Sequence, residues 1–167
     1  CIEFMKTKPD LYYDLAIVDP PYGINMDGGK IGGNNCGKAK DYTQKDWDKE
    51  PPSLEYFKEL MRVSKNQIVW GANHFISRMP FDSSCWIIWD KVNGDSYFAD
   101  CELAWTSFDT AVRKIKLKYF GANSHRFGKR IHPTQKPVGL YEYILENYAK
   151  QGDKILDTHV GSGSSRI

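Results

Sequence analysis

Short apolar runs along the chain, each stopped by a turn-forming or acidic residue, predict buried β-strands. Residues 15–18 form such a run and end at Asp19-Pro20-Pro21, where the prolines remove backbone donors. Residues 112–119 alternate basic and apolar side chains and predict a half-buried strand. The other strands predicted in this way cover residues 67–70, 85–89, 101–108 and 155–156.

Two segments carry apolar residues at helical spacing. Leu54, Phe57 and Leu60 follow Ser53, a residue type that caps helix starts, and a second helix is predicted to begin at Pro137. The apolar stripe of that second helix comprises Leu140, Tyr141, Ile144, Leu145 and Tyr148. Strands that alternate with helices predict an α/β fold with an open sheet.

Residues 23–41 contain six glycines and predict a long flexible loop. Long loops in compact domains are often active-site lids or disordered segments, and the sequence leaves both interpretations open.

The composition indicates one globular domain and excludes several classes. With 41% hydrophobic and 26% charged residues, a chain of 167 residues has the composition of a folded protein, which argues against disorder. No apolar run is long enough to span a bilayer, so no membrane association is predicted. The four cysteines form no C-x-x-C pair, which predicts neither a metal site nor a disulfide framework and favours a cytoplasmic protein.

The charge is unevenly distributed, although the net charge is only +2. Residues 113–136 contain eight Lys or Arg and no Asp or Glu, which indicates either a solvated face or a surface that contacts phosphates. The candidate nucleic-acid contacts in this block are Lys114, Lys116, Lys118, Arg126, Lys129 and Arg130.

Asp19-Pro20-Pro21-Tyr22 lies where a buried strand ends, and ligands of open α/β folds bind beyond such ends. The two prolines lack amide donors, so the backbone presents carbonyl acceptors beside a carboxylate. Such a site suits a planar NH₂ group, and Tyr22 offers a flat face for a ring. The alternative interpretation is a proline-rich strand stop with a packed tyrosine.

Two further motifs carry weaker signals when taken singly. Asp157-Thr158-His159-Val160-Gly161-Ser162-Gly163 resembles the start of a nucleotide-binding turn, but a lone G-x-G is also typical of an ordinary turn between strand and helix. His132-Pro133-Thr134-Gln135-Lys136-Pro137 is consistent with a rigid extended linker before a helix.

Together, the three motifs resemble those of the DNA amino-methyltransferases, which use S-adenosylmethionine to modify exocyclic amines of adenine or cytosine. The resemblance extends to residues 67–75, 86–91 and 101–108, and so covers nearly the whole chain. The catalytic motif precedes the donor motif, which is the circularly permuted β-type order. The departure is Thr158-His159, where the family usually has Pro-Phe.

The resemblance implies a Rossmann-like methyltransferase fold, with an open and mostly parallel sheet and helices on both faces, circularly permuted and incomplete. It implies a single partial catalytic domain over residues 1–167, with a short basic target-recognition segment at residues 109–131. The implied catalytic residues are Asp19, Pro20, Pro21 and Tyr22. The implied donor-binding residues are Thr134, Lys136, Asp157, His159, Gly161, Ser162 and Gly163.

The function implied is site-specific transfer of a methyl group to N6 of adenine in double-stranded DNA, with the target base flipped out of the helix. A role in restriction-modification, in a bacterial or phage-infected cell, is expected, and a homodimer is left open. Methylation of cytosine N4 is the first alternative, although a Ser-Pro-Pro motif is commoner there. Methylation of RNA or of a protein amide, and an inactive truncated DNA-binding remnant, are the others.

Overall fold

A six-stranded sheet forms the centre of the molecule. The structure, a computed structural model, describes residues 1–26, 29–31, 40–42, 46–94, 99–118, 135–161, 163 and 165. The strands are β1 (Tyr13–Val18), β2 (Gly29–Ile31), β3 (Lys40–Tyr42), β4 (Ser64–Trp70), β5 (Trp86–Asp90), β6 (Cys101–Thr106), β7 (Arg113–Lys116) and β8 (Ile155–Leu156). The α-helices are α1 (Ile2–Lys6), α2 (Leu54–Val63) and α3 (Val138–Tyr148).

The strand order is β7-β5-β6-β4-β1-β8, and most neighbours are parallel. β1 pairs in parallel with β4 on one side and β8 on the other, so that Ala16 lies opposite both Gln67 and Leu156. β7 is parallel to β5, whereas β6 is antiparallel to both β4 and β5. Five strands therefore run in one direction and β6 in the other, which confirms the predicted, mostly parallel sheet.

Each face of the sheet is covered by helix, which explains why the central strands are apolar without alternation. Ala16 and Val18 pack in one cluster with α2, whereas Leu15 and Ile17 pack in the other with α3. α2 begins as predicted, because the Ser53 hydroxyl accepts a hydrogen bond from the backbone N–H of Tyr56 at 3.3 Å. The prediction of an α/β fold with helices on both faces is confirmed.

The structure corrects three sequence-based expectations. Residues 23–41 are not wholly a loop, because β2 lies within them and pairs antiparallel with β3, placing Gly29 opposite Tyr42. α1 was not predicted, since a helix of five residues is too short to show a clear periodicity. The strand predicted over residues 112–119 is limited to Arg113–Lys116.

None of the helices in the part of the chain that the structure describes has the length and apolar character needed to cross a membrane.

The core on the α2 face should be sensitive to truncation. Leu60 is fully buried, so Leu60→Ala should lower the free energy of unfolding by about 2–5 kcal/mol through lost burial and a residual cavity. Leu54 lies on the same helix but is 57% exposed, so Leu54→Ala should change the free energy of unfolding by no more than about 0.5 kcal/mol. Urea denaturation of both variants measures the difference, and equal losses would contradict the packing described.

Candidate active site

The chain leaves β1 through Asp19-Pro20-Pro21-Tyr22 at the carboxyl end of the sheet. The Tyr22 hydroxyl turns back and donates a hydrogen bond to Asp19 Oδ1 at 2.7 Å. Burial, and next the Asp19 carboxylate, raise the pKa of Tyr22 well above its usual value, so the phenol stays protonated and remains a donor. The motif is thus linked internally by a tyrosine–carboxylate hydrogen bond.

A buried lysine completes this arrangement. Lys136, which is 4% exposed, places its ammonium 2.6 Å from Asp19 Oδ2, 3.1 Å from Glu102 Oε2 and 3.2 Å from the Tyr22 hydroxyl. Burial alone would lower the pKa of Lys136, but the Asp19 carboxylate, Tyr22 and Glu102 raise it well above its usual value. Lys136 is therefore a cation shared between two carboxylates.

Glu102, in β6, is a residue of this site that sequence reasoning missed. Its Oε1 lies 2.8 Å from the ammonium of Lys91, and its Oε2 faces Lys136. Burial raises the pKa of Glu102, but the two ammonium groups outweigh burial and hold it at about 2. A charged residue inside an otherwise apolar strand was the only local signal that could have drawn attention to it.

Asp48 is the second residue that the sequence did not reveal. Its carboxylate is 2% exposed and accepts hydrogen bonds from three backbone N–H groups: those of Tyr22 at 2.7 Å, Gly23 at 3.0 Å and Met26 at 2.7 Å. These bonds satisfy donors that follow the two prolines and would otherwise be unpaired. Asp48 therefore fixes the turn that carries Tyr22.

The Tyr22 ring is held between two elements that follow β4. His74 stacks on it with ring centroids 5.1 Å apart and an angle of 15° between the planes. Gly71 has φ of +69°, and a Cβ on it would lie 2.0 Å from Tyr22 Cε1. Only glycine allows the ring to lie this close to the backbone while the chain turns out of β4.

The turn after β8 lies beside this site, because β8 is the parallel neighbour of β1. Asp157 Oδ1 accepts the backbone N–H of His159 at 2.8 Å, and Asp157 Oδ2 accepts the hydroxyl of Ser165. Gly161 and Gly163 have positive φ values of 54° and 80°. The acidic residue thus closes a tight glycine turn, as the sequence pattern indicated.

His159, where the resembled family usually has Phe, packs edge-on against Tyr56 with ring centroids 5.5 Å apart. Its Nδ1 lies 2.9 Å from the Thr158 hydroxyl, which lies 2.7 Å from the Tyr56 hydroxyl. Burial lowers the pKa of His159 to about 4, although the Asp19 carboxylate acts in the opposite direction. The ring is therefore neutral near pH 7.

An open cleft of about 460 Å³ borders both motifs, since its lining includes Pro21, Tyr56 and His159. No atom of the described residues lies within 4 Å of a Cβ placed on Gly163. Among the described residues, the glycine turn thus has free space on one side. The cleft and the turn together are a candidate place for a nucleotide-like cofactor.

The basic candidates are divided by what the structure describes. Lys114, Lys116 and Lys118 are exposed on the edge strand β7 and just after it, and Lys114 pairs with Asp90 Oδ2 at 3.0 Å. β7 runs in the same direction as β1, so Lys118 lies toward the edge of the sheet that carries Asp19. The predicted site residues Arg126, Lys129, Arg130, Thr134 and Ser162 lie outside the described residues.

Known proteins resemble this chain in sequence and in fold. Residues 88–166 match the model of an N6/N4 methyltransferase family described as DNA methylase. The type II methyltransferase M.HpaI of Haemophilus parainfluenzae is 28% identical over 98% of this chain and 62% of its own length. The type II methyltransferase M.HinfI of Haemophilus influenzae is 24% identical over 99% of this chain and 58% of its own length.

Among solved structures, M1.HpyAVI in complex with SAM matches with a TM-score of 0.54 and 20% identity, covering 99% of this chain and 80% of that one. Of the two Haemophilus methyltransferases, the chain spans about three fifths of the length. The sequence matches confirm the resemblance to DNA amino-methyltransferases that the motifs predicted. The structural match confirms the Rossmann-like methyltransferase fold.

Gly71→Ala should displace the Tyr22 ring, because the added methyl would occupy the position of Cε1. Gly152 is a matched control: its φ is +93°, but no described atom lies within 4 Å of an added Cβ. Gly152→Ala should therefore lower the free energy of unfolding only by the backbone cost of about 1–2 kcal/mol, and Gly71→Ala by clearly more. Urea denaturation and the aromatic NMR signals of Tyr22 check this, and an unmoved Tyr22 signal in Gly71→Ala would contradict it.

His159 should make the stability depend on pH. Its pKa is about 4 when folded and about 6.5 when unfolded, so the unfolded chain binds more protons between these values. The stabilisation is fully present above pH 6.5 and is lost as the pH falls toward 4. His159→Phe should remove the share of the loss in the free energy of unfolding that His159 causes at low pH. His74→Phe, a control at an exposed histidine, should keep that loss. Urea denaturation at pH 7.0 and 4.5 measures both, and an unchanged decrease in His159→Phe would count against a half-buried imidazole that is neutral in the folded protein.

Proposed function

We propose that this chain carries the catalytic centre of a DNA amino-methyltransferase that transfers a methyl group from S-adenosylmethionine to N6 of adenine. The observation that carries the proposal is the juxtaposition of Asp19-Pro20-Pro21-Tyr22 with the glycine turn after β8, on neighbouring parallel strands. Parallel strands present their carboxyl ends at one edge, where ligands of such folds bind. The resemblance to DNA amino-methyltransferases over nearly the whole chain supports this chemistry.

Asp19 and Pro20 hold the target amine. An exocyclic amine is a poor nucleophile because its lone pair is delocalised into the ring, and hydrogen bonds from its two N–H groups favour the more pyramidal form. A carboxylate has about four lone-pair positions. Tyr22 and Lys136 occupy two on Asp19, which leaves acceptor capacity for the amine. Alignment of the reacting atoms is the main contribution and can be worth about 7–11 kcal/mol.

Tyr22 supplies the stacking face for a base that has left the double helix. One face of its ring is covered by the imidazole of His74, a flat ring on an exposed residue. We assign the place of that imidazole to the target base, so that His74 moves aside when the base enters. Tyr22 itself stays fixed by Asp19, Lys136 and the close approach of Gly71.

The turn after β8 and the adjoining cleft bind the donor. S-adenosylmethionine, when bound, supplies an electrophilic methyl group on its sulfonium. Asp157, Gly161 and Gly163 form the backbone cradle, and His159 lines the cleft beside it. The resemblance to the family also implies that Thr134 and Ser162 contact the donor. It implies that Lys136 lies near the carboxylate of the donor's methionine part.

Double-stranded DNA contacts the basic side chains. Lys114 and Lys116 on β7, and Lys118 after it, are exposed and lie on a strand whose carboxyl end faces the same edge as Asp19. Arg126, Lys129 and Arg130 belong to the same basic block of the sequence. Phosphate contacts of this kind position a duplex, whereas base contacts select the site. A restriction-modification role in a bacterial or phage-infected cell is in keeping with the type II methyltransferases that resemble the chain.

Methylation of cytosine N4 is the second candidate, because the same acceptors would hold a cytosine amine. The aspartate at the first motif position favours adenine. Mass spectrometry of nucleosides from treated DNA distinguishes N6-methyladenine from N4-methylcytosine.

Asp19→Ala in the natural full-length protein should abolish methyl transfer to DNA, because the amine loses its charged acceptor. Binding of S-adenosylmethionine, measured by calorimetry, should be largely retained, since the donor turn is formed by other residues. Asp82→Ala is the control, because Asp82 is exposed and lies outside the site.

Transfer is measured with a radiolabelled methyl group on the donor. Near-normal turnover by Asp19→Ala would refute the role of Asp19. Absence of any methylated base with the unaltered protein would refute the function and favour a DNA-binding remnant.

A further inference from the structure

The buried ammonium of Lys136 links three separate parts of the fold. It comes from the segment just before α3 and reaches Asp19 after β1 and Glu102 in β6. It also lies 5.3 Å from the ring centroid of Trp70 at the end of β4. A buried charge is tolerated only when it is paired and hydrogen-bonded, so these partners account for its position.

Glu102 is in turn held on its other side. Lys91, which follows β5 and is largely buried, lies 2.8 Å from Oε1, so that the carboxylate bridges two ammonium groups. The result is a chain of alternating charge that runs from Lys91 through Glu102 and Lys136 to Asp19. Because both lysines and both carboxylates are paired, the network is balanced in charge.

We propose that Lys136, held on its far side by Glu102, is a positioning residue that orients the Asp19 carboxylate and the Tyr22 hydroxyl for methyl transfer. The inference rests on the proposed function and deepens it. It gives Lys136 a role on the acceptor side of the reaction, whereas the family resemblance implied a place near the donor's carboxylate.

The orientation follows from the contacts. The two oxygens of Asp19 are engaged by different donors, Oδ1 by Tyr22 and Oδ2 by Lys136. Since Lys136 also donates to the Tyr22 hydroxyl at 3.2 Å, the three groups form a closed triangle. A carboxylate held at both oxygens cannot rotate freely, so its remaining lone pairs point in fixed directions.

The place of Lys136 follows from the charges on either side of it. Its ammonium lies 2.6 Å from Asp19 Oδ2 and 3.1 Å from Glu102 Oε2, so Glu102 holds it from the side away from Asp19. Removing Lys136 should therefore free Asp19 and Tyr22 to change orientation, and neutralising Glu102 should loosen Lys136 itself.

The test uses two substitutions that disturb Lys136 from different sides and one matched control, all in the natural full-length protein. Lys136→Met removes the cation with little change in volume, and Glu102→Gln removes the charge with none. Lys65→Met is the control: Lys65 pairs with Asp14 Oδ1, also at 2.6 Å, at the amino end of the same strand β1.

The first measurement does not depend on catalysis. NMR at pH 7 follows the Asp19 carboxyl carbon and the ring signals of Tyr22. Lys136→Met should displace both sets of signals, because the closed triangle of Asp19, Tyr22 and Lys136 is broken. Glu102→Gln should displace them less, and Lys65→Met should leave them unchanged. If Lys136→Met does not fold, the signals of Glu102→Gln decide.

The second measurement is the rate of methyl transfer. The kcat of Lys136→Met should fall by on the order of 100-fold, with little change in the KM for donor, because the acceptors for the amine lose their orientation. Lys136→Arg, which keeps a cation at this place, should recover part of the loss. A merely structural role would not separate kcat from KM in this way.

The outcomes separate this inference from the proposed function. Unchanged Asp19 and Tyr22 signals in both variants would overturn the inference even if the unaltered protein methylates DNA. Displaced signals without any transfer by the unaltered protein would support the network but refute the methyltransferase function. A KM for donor that rises strongly in Lys136→Met at constant kcat would return Lys136 to the donor site.

Discussion

The burial of one positive charge constrains the arrangement of the whole site. The ammonium of Lys136 is almost inaccessible to water, and an unpaired charge in that position would be strongly destabilising. Its partners come from the ends of elements far apart in the sequence, Asp19 after β1 and Glu102 in β6. The ion pairs of Lys136 therefore fix the turn that carries Asp19 against β6. The same contacts give the motif its charge and orientation, so structural and chemical requirements coincide.

The direction of the strands is the second constraint, because it brings the Asp-Pro-Pro-Tyr motif and the glycine turn to the same edge of the sheet. β8 is only two residues long, yet its parallel pairing with β1 brings Asp157 to the edge that carries Asp19. An antiparallel β8 would place the glycine turn at the opposite end of the sheet. Both faces of β1 are covered, and a shift of one residue would exchange the side chains that face α2 and α3. Core packing thus specifies the register that places Asp19 and Asp157 at the same edge of the sheet.

The sequence predicted those features that depend on local pattern and missed those that depend on distant pairing. Apolar runs and helical stripes predicted the sheet strands and both longer helices, and the motif at Asp19 lies at a strand end as expected. Asp48 lies 26 residues from the backbone N–H of Tyr22 that it binds, across the glycine-rich segment, so no local spacing could reveal it. Glu102 is one charged residue in a strand, and its importance becomes visible only when Lys136 faces it. The pairing of β2 with β3 was missed because glycine is uncommon in strands, so a glycine-rich sequence favours a loop.

The contacts of Tyr22 indicate which part of the site can move. Its hydroxyl is bonded to Asp19 and Lys136, its backbone to Asp48, and its ring lies against Gly71, so four separate contacts hold it. His74 is exposed and is held against Tyr22 by ring stacking. The imidazole is therefore easier to displace than the phenol. The two oxygens of Asp19 are held by Tyr22 and Lys136, so the carboxylate is already oriented in the described structure. Under the proposed function this orientation precedes the arrival of the amine, and preorganisation of this kind is what makes electrostatic contributions effective in catalysis.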